Sequence, residues 1–241
     1  MKYLYSTLLL FIISAPAQAL KIDSMLTTAD EYGNGVFTLT NELASTSFIT
    51  SSIEKVDVVN GELVKTPYSK DNLNDWEITV THPKLILESQ RVKQVGIRSL
   101  CGNQCNFEQD KVYQITFAPV PYVENPEQQE APLLAINFGY APLFVIPAAK
   151  SKIAYEMTYK GDTVLMKNTG NTYVRFMISK CTAKLNVKCQ SSYTSLSGRV
   201  KEFIVPEYLQ DEEIEVMVVN HDETYRRKLS FVKGQSQTLG N

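Results

Sequence analysis

This chain is poor in the side chains on which most enzyme and metal chemistry rests: its 241 residues include two histidines, four cysteines and one tryptophan. It has no nucleophile elbow, phosphate-binding loop, paired-histidine helix or glycine-rich dinucleotide turn. His82 and His221 lack a sequence-local partner cluster, so each reads as a satisfied loop or surface histidine. Asp211-Glu212-Glu213 lacks the alternating ligands and glycine turn that calcium needs, and reads as a solvated turn before a strand. A lone Trp76 and the lack of an acidic pair give little support to a carbohydrate-binding or hydrolytic sandwich. The expectation is a protein that is not an enzyme and uses no metal or cofactor.

Surplus basic charge is missing as well. Lys and Arg number 24 against 26 Asp and Glu, a net charge of −2, so nothing is spare to neutralise phosphates and no nucleic-acid partner is expected. No apolar run reaches the roughly twenty residues of a bilayer-spanning helix. At the N-terminus, Met1-Lys2 supplies a positive start, Leu8 to Ile13 an apolar stretch and Ala17-Gln18-Ala19 a small-x-small cleavage site. That pattern predicts a signal peptide over residues 1–19, cleavage before Leu20 and export without stable membrane insertion. Loss of Lys2 takes the formal charge from −2 to −3.

The cysteines fall in two local pairs. Cys101 with Cys105 and Cys181 with Cys189 read as two small disulfide loops in an oxidising compartment, although four cysteines allow three connectivities. Zinc is the competing reading, but both histidines lie far from either pair. Cys-Gly-Asn-Gln-Cys also has three intervening residues where a thioredoxin-type motif has two.

No long helical periodicity competes with a repeated alternation of apolar and polar residues. Strands are expected at Val36–Thr40, Phe48–Val59, Trp76–Val80, Leu85–Leu87, Val92–Leu100 and Tyr113–Phe117, and in the stretch 131–147. About seven strands before residue 148 point to an all-β sandwich of immunoglobulin type. The pattern restarts past Pro147 with Ile153–Met157, Val164–Met166, Val174–Ile178, Ile214–Val218 and Tyr225–Val232. Two tandem sandwiches are predicted, over 20–148 and 149–241, with a polar tail from Lys233 that frays.

Residues 131–147 contain no charge. Leu134, Ile136, Phe138 and Tyr140 alternate with Ala135, Asn137, Gly139 and Ala141, so a strand would have one bulky apolar face and one small or polar face. Pro132 and Pro142 cannot donate to a ladder, which points to an edge strand open to a partner. An ordinary core strand is the other reading, and on this segment alone both stay open.

Several stretches, in order, resemble the PapD-like periplasmic chaperones of the chaperone–usher pathway. Thr81-His82-Pro83-Lys84-Leu85-Ile86-Leu87 followed by Gln90 to Arg98 looks like the family's proline-containing strand and its basic-apolar successor. Tyr113 to Pro121 looks like the strand that ends in proline, and 133–147 matches the next strand and the proline closing the first domain. Asn168-Thr169-Gly170-Asn171-Thr172-Tyr173, leading to Cys181 and Cys189, is most similar to the alternate class that builds common-pilus-type fimbriae.

The resemblance implies a periplasmic chaperone that binds pilus subunits by donor-strand complementation and delivers them to an outer-membrane usher. Leu134, Ile136, Phe138 and Tyr140 would be the subunit-binding residues, and the open edge would also allow self-association. Conventional members grip the pilin's C-terminal carboxylate with an Arg in the first strand and a Lys in the donor strand. Thr27 and Pro142 stand near those positions and Gln114 where the family often has Arg, so that pair is not carried over. Arg98 or Lys21 could replace that grip, Arg98 being the better candidate anchor, but a solvated surface charge is the favoured reading of each. A pilus structural subunit or two-domain tip adhesin is the second functional reading. Against it stand the short Leu20–Met25 and the polar tail Gly234–Asn241.

Overall fold

A computed structural model describes residues 20–101, 106–121, 138–181 and 188–240. The first half folds into β1 (Leu20–Ile22), β2 (Leu26–Thr28), β3 (Gly35–Asn41), β4 (Ser47–Val59), β5 (Glu62–Pro67), β6 (Ile78–Val80), β7 (Lys84–Leu87), β8 (Val92–Ser99), β9 (Lys111–Pro121) and β10 (Leu143–Ile146). One sheet runs β1-β3-β8-β6. The other runs β2-β10-β9-β4-β5, with β7 also on β4. Phe37, Leu39, Ile49, Val95, Ile97, Tyr113, Ile115, Phe117 and Phe144 fill the space between them.

The second half supplies β11 (Ala154–Tyr159), β12 (Thr163–Asn168), β13 (Val174–Ser179), β14 (Gln190–Ser195), β15 (Val200–Ile204), β16 (Glu213–Val219), β17 (Arg226–Val232) and β18 (Ser236–Gly240). Its sheets run β15-β12-β11-β18 and β14-β13-β16-β17. Tyr155, Met157, Val164, Met166, Phe176, Ile178, Val216 and Phe231 form a separate core. These are the two tandem β-sandwiches that the alternation predicts. Burying each large apolar side chain contributes on the order of 1.5–3 kcal/mol before ordering costs.

The strand inventory departs from expectation where a strand has no buried face. Every residue of β5 is exposed, so no period of two marks it. β1 and β2 have three residues each and belong to different sheets, because the chain changes layer between Ile22 and Leu26. Trp76 lies outside β6; it follows a short 3₁₀ helix (Lys70–Asp75) and stacks on Tyr68 with centroids 5.0 Å apart. The tail departs from the predicted fraying. Instead β18 pairs with β11 from Ala154–Gly240 to Thr158–Ser236, and Leu239 packs on the second core. Cys181 and Cys189 are joined by a disulfide. Cys101 is also disulfide-bonded, and its expected partner Cys105 lies outside the described residues.

Contacts of several kinds join the sandwiches. Val56, Val112 and Val145 pack against Tyr173 and Leu196 of the second sandwich. Asp110, at the foot of β9, accepts from the Ala148 and Tyr173 backbone N–H groups at 2.9 and 2.7 Å and from the Thr172 hydroxyl at 3.1 Å. The β4–β5 turn is Asn60-Gly61, both in the left-handed region at φ 52° and 81°, the geometry of a tight hairpin turn. Its Gly61 carbonyl accepts from Val200 N–H at 3.1 Å and from the Arg199 guanidinium at 2.7 Å.

Candidate functional site

The site is the chain that leads into β10 along the edge of β9. Tyr140 and Phe117 exchange both backbone hydrogen bonds, at 3.0 and 2.7 Å. Two residues on, Pro142 has no N–H, yet its carbonyl accepts from Ile115 N–H at 3.0 Å. The same register carries on to Leu143, which lies opposite Gln114. Inward-facing Phe144 and Ile146 enter the first core, and Tyr140 packs against it. Outward-facing Leu143 and Val145 belong to the contact with the second sandwich.

Phe138 stands two residues before Tyr140, in the same phase, and is 72% exposed. The apolar row of the first core therefore runs out of the molecule between these two aromatics. Leu134 and Ile136, the other expected donor residues, lie outside the described residues. Gly139 sits so close to β9 that a Cβ built on it would lie 2.6 Å from the Phe117 carbonyl oxygen and 3.3 Å from Ala118 Cα.

The outward face of β9 adds a side-chain fastening. Gln114 Nε2 donates to the Ala141 carbonyl at 3.0 Å. Lys65 donates to the amide oxygen of Gln114 and lies 3.7 Å from Glu54. Lysine can only donate, so it fixes which end of the amide is oxygen and turns the NH₂ toward Ala141. In the sequence Gln114 shows only as a departure from the family's usual Arg. Lys65 lies on the patternless β5 and could not be placed beside it.

Arg98 is elsewhere. It lies on β8, opposite Thr79, in the sheet that does not contain β9 or β10. Val95 and Ile97 point into the core and Arg98 is exposed on the outer surface. The structure thus does not bring Arg98 together with Phe138 and Tyr140. Thr27 is partly buried opposite Phe144 and Pro142 is buried, so neither of those positions offers a cation.

Glu77 gathers two cations and a tyrosine hydroxyl in the first sandwich. Glu77 binds Lys55 at 3.0 Å and Lys111 at 3.1 Å, and the Tyr113 hydroxyl donates to it at 2.9 Å. Burial alone would push its carboxyl up, but these partners outweigh burial and hold it below the ordinary carboxylate range. Asp110 is the opposite case: burial pushes its carboxyl up despite the three hydrogen bonds it accepts. His82 Nδ1 bonds Thr81 at 2.8 Å, and His221 lies beside the Tyr173 ring. Asp211 is paired with Lys180, whose hydrogen bond holds its carboxyl low.

Two tandem β-sandwiches, with the inward apolar row of β10 running out into solvent at Phe138, define a two-domain protein of PapD-like fold. Solved structures share that architecture over nearly their whole length. A chain of the complex between Salmonella enterica SafA pilin and the SafB chaperone aligns with a TM-score of 0.56 at 14% identity, covering 89% of this chain and 96% of that one. The class 5 fimbriae chaperone CfaA aligns with a TM-score of 0.52 at 15% identity, covering 90% and 99%. The E. coli chaperone DraB aligns with a TM-score of 0.50 at 13% identity, covering 89% and 96%. No curated protein sequence matches this chain. Residues 22–147 match the family described as the CS5 fimbrial protein N-terminal domain, and the chain belongs to that family.

Proposed function

We infer that this chain is a periplasmic chaperone for fimbrial subunits, working by lending a strand and without catalysis. One observation carries the reading: the inward row Ile146, Phe144, Tyr140 is taken up by the chain's own core, and Phe138 continues it into solvent. An incomplete sandwich that exposes a groove would complete itself on such a row, with backbone pairing for affinity and apolar pockets for specificity. Leu134, Ile136 and Phe138 are proposed as the side chains that fill those pockets, with Tyr140 as the root. A groove so covered has no open edge to aggregate.

The neighbours support this reading. CfaA and DraB are described as chaperones, and the SafB complex holds a pilin. Residues 1–19 are read as the export signal, 20–148 and 149–241 as the two working units, and an outer-membrane usher as the recipient of the subunit. The structural-subunit reading fits less well. A strand-deficient subunit would leave a groove in one sandwich, whereas the first sandwich here holds its own β10 between β2 and β9. The test is co-expression with a fimbrial subunit from the same genome. The subunit should be recovered from the periplasm as a one-to-one complex with this chain, and a subunit equally abundant without it would overturn the reading.

A further inference from the structure

Lending a strand requires an open edge; it does not by itself fix which residue of the strand meets which pocket. We propose that Gly139 and Gln114 form a register lock that sets the phase of the donor segment on β9. Its bearing on subunit choice rests on the function proposed above, but the register is a property of the free chain.

The segment needs such a device because its pattern is weakly discriminating. Phe138 and Tyr140 are both large aromatics two apart, so a slip of two residues would keep an apolar side chain on the inward face. β10 does not settle the matter either. At Pro142 the ladder keeps only the bond that its carbonyl accepts from Ile115, and a bulge there could absorb an extra residue without losing any bond donated by residue 142.

Gly139 does discriminate. Its Cα faces the Phe117 carbonyl at a distance that leaves a Cβ only 2.6 Å from the oxygen, with Pro119 Cδ at 3.4 Å on the far side. Asn137, Phe138, Tyr140 and Ala141 all carry a Cβ, so every slip of one or two residues brings a clash with backbone that cannot swing aside. Gln114 then fastens the seated phase by its bond to Ala141, with Lys65 holding the amide in the donating orientation. Gly139 excludes the wrong phases and Gln114 holds the right one.

The test reads phase directly, by paired cysteines in the free protein. In the register set by Phe117 and Tyr140, Thr116 lies opposite Ala141 as a non-hydrogen-bonded pair. Such pairs have Cα atoms about 4.5 Å apart, within disulfide range. Thr116→Cys with Ala141→Cys should cross-link, and Thr116→Cys with Tyr140→Cys, offset by one, should cross-link little. Adding Gly139→Ala should lower the ratio of in-phase to offset product by about fivefold or more. Gln114→Glu, which keeps size and the Lys65 contact but cannot donate, should move the ratio the same way.

Simple loosening would lower both products together and leave the ratio unchanged. That result, or an unaltered ratio in both variants, would overturn the lock. Recovery of the co-expressed fimbrial subunit is scored separately. A wild-type chain that recovers none overturns the functional reading, while a shifted ratio still supports the lock.

Discussion

Neighbouring aromatics in the donor segment have opposite duties. Phe138 is exposed and contributes almost nothing to the free fold, whereas Tyr140 packs on the first core. Phe138→Asp should therefore leave unfolding free energy within about 0.5 kcal/mol of wild type, and abolish subunit recovery because a carboxylate would be desolvated in an apolar pocket. Tyr140→Ala should cost about 2 kcal/mol in the free protein. Denaturant melts beside periplasmic recovery separate the two; equal destabilisation by both changes would mean that Phe138 is a core residue. Glu77 gives a residue-scale pH dependence. Its carboxyl is held below the ordinary value of 4.5, so the stability it contributes is full above that value and disappears as pH falls through the lowered one. Glu77→Gln should flatten the acid limb of a stability–pH curve and cost about 2 kcal/mol at neutral pH, since Lys55 and Lys111 lose a partly buried shared partner. A parallel acid limb in the variant would assign that limb to other carboxylates.

Strands were legible in the sequence where one face is buried. β3, β8 and β9 alternate because Phe37 and Leu39, Val95 and Ile97, and Tyr113, Ile115 and Phe117 enter one core while their neighbours face out. β5 and β18 were not legible: the first has no buried residue and the second has a polar pattern with Leu239 partly buried. Their places come from hydrogen bonding along a neighbour, a long-range fact that composition does not encode. The same limit hid the site. Phe138 and Tyr140 could be picked out by alternation, but Lys65 meets Gln114 only after β4 and β5 fold back. Arg98 looked available as an anchor because sequence cannot tell one sheet of a sandwich from the other. β18 offers a direct check on this element-scale account. Ending the chain after Lys233 should cost the second sandwich about 2 kcal/mol, from Leu239 and the lost ladder on β11. An unchanged urea midpoint would mean that the tail contributes nothing to the fold.

The two sandwiches are held in one arrangement by contacts of different chemistry. Asp110 accepts three hydrogen bonds, two of them from the second sandwich, and the Asn60-Gly61 turn is gripped by Arg199. Asp110→Asn keeps size but turns a donor toward backbone N–H groups. It should cost about 1–3 kcal/mol and broaden the spread of inter-domain angles seen by solution scattering. Because burial raises the Asp110 carboxyl, its own pH-linked contribution runs opposite to that of Glu77: full in acid, and declining as pH rises through the raised value. A scattering profile identical to wild type in both Asp110→Asn and Arg199→Ala would show that the apolar contact around Val145 fixes the angle alone.

β10 joins these duties in one line. It continues from the donor segment, lies between β9 and β2, and presses Leu143 and Val145 against the second sandwich. A load applied at Phe138 along the strand axis would act on the β9 and β2 hydrogen bonds in parallel, in shear, since ladder bonds lie across the strand. A strand pulled from the side would unzip one bond after another. A root built this way resists being drawn out along its axis more than being peeled from the side.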